Sequence, residues 1–103
     1  MRRGSIGNLS VEKLTPDVAE ELGAKSTNGA LVVRIGRTSE AYLAGITLGD
    51  IVVAFNGQPV NDPSDLLRFV DDAKIGSTAT ITVVRNGRKI DIRVPLVSSA
   101  RRP

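Results

Sequence analysis

The sequence contains no histidine, no cysteine and no tryptophan, and only one tyrosine and two phenylalanines in 103 residues. Without imidazole or thiol, the Ser-His and Cys-His nucleophile pairs are unavailable. Most zinc chemistry and any disulfide framework go with them. A Ser-Lys pair is chemically available, because Lys13, Lys25, Lys74 and Lys89 are present. None of them lies in a nucleophile motif, and all read as solvated charges. Asp71 and Asp72 are neighbours on a helical stretch, so they point about 100° apart and cannot work as an acid–base pair in one cleft. No glycine-rich loop leads into a helix in the manner of a phosphate site. The chain by itself is read as non-catalytic, with no cofactor and no metal.

Aromatics are too few and too scattered, at Tyr42, Phe55 and Phe69, to make a stacking platform for single-stranded nucleic acid. Net charge is +3, from 14 basic and 11 acidic residues. Arg2, Arg3, Arg101 and Arg102 sit at the two ends. Setting those four aside leaves ten basic residues against 11 acidic ones, so the body carries no basic stripe and nucleic acid is excluded as a partner. No apolar run reaches the roughly 18 residues of a membrane span, and no export signal is visible. The expectation is no direct membrane insertion, with any export signal lying outside this chain.

What is present reads as one domain. Apolar residues at 41% and charged residues at 24% match an ordinary globular composition. In "LTPDVAEELG", Thr15 caps a short helix, Pro16 takes its first position and Gly23 stops it. "GALVVRI" is a buried strand. "TSEAYLAGI" is a second short helix, capped by Ser39 and ended by Gly45. Ile51–Phe55 forms a strand that Asn56-Gly57 turns back. "NDPSDLLRFVDDAKIG" is the best helix, with Asp62 as cap, Pro63 first, Asp65 in the first turn and Gly76 just beyond its end. "TATITVVRNGRKIDIRVPL" is a β-hairpin about Asn86-Gly87, with Ile90, Ile92, Val94 and Leu96 alternating. Pro95 lacks an amide hydrogen and marks an edge or the end of pairing. Hairpin-linked strands with two covering helices predict an α+β fold, a partly open antiparallel β-barrel. The domain is expected at 3–97, with 98–103 as a flexible tail.

Several stretches together, in order, resemble a known family. "RGSIG", "LTPDVAEELG", "GALVVRI", "SEAYLAGITLGDIVVAFNGQPV" and "LLRFVDDAKIGSTATITVVRNGRKIDIRV" are similar to PDZ domains. They are closest in pattern to the bacterial, circularly permuted PDZ domains of HtrA/Deg-type serine proteases. The most specific piece runs from Ala44 to Val60. There Gly45 and Gly49 serve tight turns, Asp50 can cap a turn and Ile51 and Val53 offer core contacts, so turn chemistry explains the string without a ligand.

The resemblance implies capture of a partner's C-terminus or an unfolded segment by strand addition between a sheet edge and a helix. The loop Arg3, Gly4, Ser5, Ile6, Gly7 and Asn8 would receive the peptide carboxylate. Ile6, Gly7 and Asn8 are its amide donors, Ile6 floors the terminal pocket, and Arg3 adds charge. Leu9 and Ser10 on the strand, and Leu66, Val70 and Ala73 at i, i+4, i+7 on the helix, would line the groove. Leu67 and Phe69 flank that stripe on opposite sides. The preferred partner ends in an apolar residue. The family usually carries an apolar residue directly after the second glycine of the loop; here Asn8 stands there, and a β-bulge at Asn8 would return Leu9 to the groove. The parent implied is a serine endopeptidase of the bacterial periplasm, whose protease domain would precede residue 1 and be a partner of this module. The competing parents are a scaffold or secretion protein, a Ser-Lys protease and an intramembrane metalloprotease.

Overall fold

The structure is a computed structural model and describes residues 4–5, 7, 9–24 and 27–98. Eleven elements are numbered in chain order: β1 (Gly4–Ser5), β2 (Leu9–Lys13), α1 (Pro16–Glu21), β3 (Ala30–Ile35), α2 (Glu40–Ala44), β4 (Ile51–Phe55), β5 (Gln58–Pro59), α3 (Pro63–Asp72), β6 (Thr78–Arg85), β7 (Arg88–Pro95) and β8 (Val97–Ser98). Six strands form an antiparallel sheet in the order β2-β3-β4-β6-β7, with β5 folded back on β4. Among the described residues the sheet does not close, and β2 and β7 end its strand order. β1 and β8 pair separately, Gly4 with Ser98 and Ser5 with Val97. Most of the expected tail lies outside the described residues, but Ser98 belongs to that pair.

Local chemistry sets the element ends. Thr15 Oγ1 accepts from the Val18 amide at 3.3 Å, Ser39 Oγ from Tyr42 at 3.2 Å and Asp62 Oδ1 from Asp65 at 3.0 Å. Each satisfies a helix-end donor that has no intrahelical partner. Both Asn-Gly pairs take the left-handed conformation at both residues, with φ 50° and 83° at Asn56-Gly57 and 53° and 79° at Asn86-Gly87, as two-residue hairpin turns of matching twist require. α3 stops earlier than its pattern: Ala73 is extended. A turn then carries the Ser77 amide to the Lys74 carbonyl and the Gly76 amide to the Leu96 carbonyl, tying the helix exit to the end of β7.

The sheet buries both faces. On one side Val32, Val52, Phe55, Leu66, Val70, Ile81, Val83, Ile92 and Val94 form the main core, closed by α2 and α3. The rings of Phe55 and Phe69 stack with centroids 6.1 Å apart. On the other side Leu14, Ala19 and Ile51 form a smaller cluster with Val18, Leu22, Leu31, Val53 and Val84 beneath α1. Alternation along β4 and β6 supplies apolar side chains to both faces at once.

Candidate peptide-binding groove

β2 is an edge strand that pairs only with β3 among the described residues. α3 packs over β1 and β2 as well as β3 and β4. A trough therefore runs between the outer edge of β2 and α3, with one row of backbone donors and acceptors open for pairing. The side chains of β2 alternate about this edge. Leu9 and Val11 are half-buried against the main core, the side that α3 covers. Ser10 and Glu12 are exposed, and the two-residue period turns them to the other face. The register slip of this pair falls between Ser10 and Val11, opposite Arg34 and Val32, and leaves Val33 as the additional residue on β3. The bulge expected at Asn8 lies outside the described residues.

On α3, Leu66 is 1% exposed and belongs to the core. Val70, at 8%, lies next to it on the apolar stripe. Ala73 is half-buried just past the helix end. Phe69 turns toward Phe55 on β4, and Leu67 lies on the opposite flank of the helix, where it is 57% exposed. Val11 was missed because its role depends on which face α3 covers.

Leu66 and Leu67 make a paired test of this geometry. Leu66→Ala is expected to lower stability by about 2–4 kcal/mol through a core cavity. Leu67→Ala should change stability by less than about 0.5 kcal/mol and weaken an apolar-ended peptide several-fold. Urea unfolding and peptide titration of the two variants separate the effects; equal stability losses would contradict this placement.

Of the loop assigned to the carboxylate, Arg3, Ile6 and Asn8 lie outside the described residues. Gly4 and Ser5 are held by β8. Gly7 has φ +97° and packs on the start of α2: a Cβ there would overlap Ser39 Cβ and sit 2.8 Å from Ser39 Cα. Glycine at 7 is thus demanded twice, by conformation and by space. Ser39 is itself buried and fixed, its hydroxyl donating to the Gly36 carbonyl at 2.6 Å.

Asp50 anchors the loop before β4. It is 1% exposed and accepts from the Thr47 amide at 2.9 Å. It also receives both Arg85 Nε, at 2.8 Å, and Arg85 Nη2, at 2.6 Å. Arg85 Nη2 reaches the Gly45 carbonyl as well, at 2.8 Å, tying the end of α2 to β6. The hydrogen bond to Asp50 raises the Arg85 pKa, against a smaller opposing effect of burial. A raised cation pKa leaves its share of stability complete below the unfolded value and lost only as pH climbs through the folded one, far above neutrality. The turn-capping role of Asp50 was legible in the sequence, whereas the partner 35 residues away was not.

No group of three or more acidic side chains suited to a metal ion occurs among the described residues. No helix among the described residues is long and apolar enough to cross a membrane.

An edge strand beside a helix, entered through a glycine-held loop, is the arrangement of a strand-accepting interaction domain. The PDZ domain family model matches residues 6–96, and the chain belongs to that family. It is 42% identical over 98% of its length to a probable periplasmic serine endoprotease, DegP-like, of Rhizobium meliloti (strain 1021), covering 20% of that protein. It is 36% identical over 95% of its length to the protein of the same name in Brucella suis biovar 1 (strain 1330), covering 19%. The chain thus spans about a fifth of the curated relatives it matches. Among solved structures it resembles the HtrA-type protease AlgW with decapeptide at TM-score 0.83 and 30% identity, over 99% of this chain and 30% of that one. The HtrA3 PDZ domain bound to a phage-derived ligand (FGRWV) shares the fold at TM-score 0.78 and 24% identity, over 95% of this chain and 88% of that one. The expected resemblance to HtrA-type PDZ domains, and the open antiparallel fold, are both found.

Proposed function

We propose that this domain captures the C-terminal or unfolded segments of other proteins by strand addition along the outer edge of β2, within an HtrA-type serine endopeptidase of the bacterial periplasm. The observation that carries the reading is the outer edge of β2, unpaired among the described residues, with α3 packed against the same strand. The incoming chain pairs with β2, its apolar side chains meet Leu9, Val11, Val70 and Leu67, and its terminal carboxylate enters the loop from Gly4 to Asn8, with Arg3 adding charge. The partner ends in an apolar residue such as Val, Leu or Ala. Residues 3–97 act as the binding unit, and a protease domain of the same parent chain receives or senses the captured segment. A handful of hydrogen bonds at about 1 kcal/mol net each, plus a buried side chain, less the ordering costs, gives micromolar affinity. That suits transient tethering.

The test is a titration of the labelled chain with an apolar-ended peptide and with its C-terminally amidated twin. The free acid is expected to shift Gly7, Leu9, Val11 and Leu67, and the amide to bind at least tenfold more weakly. Equal affinity for both peptides would remove the carboxylate from the recognition and leave internal segments as the ligand. Absence of shifts along β2 would remove strand addition.

A further inference from the structure

The second face of the sheet is covered incompletely. Leu31, Ile51, Val53 and Val84 all turn apolar side chains to it. The helix above them, α1, has six residues, a length of about 9 Å. Beside it lies an open cleft of about 530 Å³, with Ile51, Val53, Val60 and Val84 among its lining and Asn61 and Lys89 contributing polar groups. Its size falls within the range of small-ligand pockets. No residue of β2 or α3 lines it.

Two features specify what this cleft accepts. The first is charge. Lys89 stands opposite Val84 in the β6–β7 register, so its methylenes extend along apolar surface while its ammonium reaches solvent. Among the described residues Lys89 makes no ion pair or hydrogen bond. Asp91, next along the same face of β7, is taken by the Thr82 hydroxyl at 2.7 Å. An exposed lysine without a partner among the described residues, beside an apolar floor, complements a ligand with a greasy body and a single negative head. The second feature is that the strands of its floor, β4 and β6, are paired on both sides, so that free strand edges lie only at its rim, on β5 and β7. β4 lies between β3 and β6, and β6 between β4 and β7. A polypeptide laid across these strands would bury its own amides without partners, which an aliphatic chain does not.

We propose that this cleft is a binding site for a small anionic amphiphile, an aliphatic carboxylate whose chain lies on Val53 and Val84 and whose head meets Lys89. The site is separate from the peptide groove and does not depend on it.

The test uses the full 103-residue chain and decanoate below its micelle concentration, read by amide resonances. Saturable shifts are expected at Ala24, Val53, Val84 and Lys89, with none along Leu9–Lys13. Lys89→Gln should weaken decanoate about threefold, the worth of one exposed charge pair. Lys89→Glu should weaken it about tenfold, and neither variant should alter the weaker binding of decanol. Lys89 is exposed, so both variants keep the fold. Four results would each overturn the proposal: no saturable shift in the cleft; equal binding of decanoate and decyltrimethylammonium; shifts centred on β2 and Leu67; or a cleft that answers an acidic peptide and ignores decanoate. The amidated-peptide titration is read at different residues, so failure here leaves the peptide groove standing.

Discussion

Arg85→Met is expected to lower the unfolding free energy by about 3–5 kcal/mol, the cost of leaving a buried charge without its partner. Asp50 is 1% exposed and accepts two bonds from this guanidinium. Methionine replaces the volume of the arginine stem but supplies no donor, so the buried carboxylate loses the guanidinium and keeps the Thr47 amide. At about 4–8 °C per kcal/mol for a domain near this size, thermal unfolding should shift down by roughly 12–40 °C. Adding Asp50→Asn removes the charge and keeps an acceptor for the Thr47 amide. The double variant should therefore be more stable than Arg85→Met alone, because a buried pair costs less to replace than to break. If Arg85→Met cost under about 1 kcal/mol, the pair would behave as an exposed one, and its anchoring role would be lost.

Gly7→Ala is expected to weaken an apolar-ended peptide by tenfold or more, while lowering stability by only about 1–3 kcal/mol. At φ +97° an L side chain is already strained by about 1 kcal/mol or more. The new Cβ would also overlap Ser39 Cβ, approach Ser39 Cα at 2.8 Å and the Glu40 amide nitrogen at 3.0 Å. These are backbone and near-backbone atoms of a capping residue, with no flexible end to swing aside. The backbone at Gly7 itself has to move, and with it the loop proposed to receive the carboxylate. Gly49→Ala is the control. Its φ is +89°, but nothing lies within 4 Å of the added Cβ, so stability should fall by about 1 kcal/mol and affinity should hold. Isothermal titration of the two variants separates the effects. A Gly7→Ala domain with the parent's affinity would show that this loop does not shape the site.

The elements legible in the sequence are those whose chemistry is complete within a few residues. Thr15, Ser39 and Asp62 each bond an amide three residues on. The two Asn-Gly turns dictate their hairpins, and the alternation from Ile90 to Val94 faces the core throughout β7. The candidate site was less legible, because it is assembled from segments far apart in sequence. The bulge is one example. Counting residues after Gly7 suggests an irregularity at Asn8, which lies outside the described residues, whereas the β2–β3 pair carries a slip of its own that adds Val33 to β3. Which strand carries an additional residue depends on how two strands meet. The α3 stripe is another. The pattern selects Leu66 and Val70 as one face, and the structure buries both, with Phe69 stacked on Phe55 and Leu67 left exposed on the opposite flank.

By itself the sequence determined the helix caps, the turns, the two-faced apolar strands and the absence of any imidazole or thiol chemistry, because each depends on a residue type or on a spacing within one or two turns. Only the tertiary structure decided that β2 is an edge, that Gly7 must clear Ser39, that Arg85 neutralises Asp50 and that α1 leaves a cleft uncovered. Those outcomes depend on which surfaces meet when strands pair across dozens of residues, and hydrophobic burial, which drives that meeting, has no direction of its own.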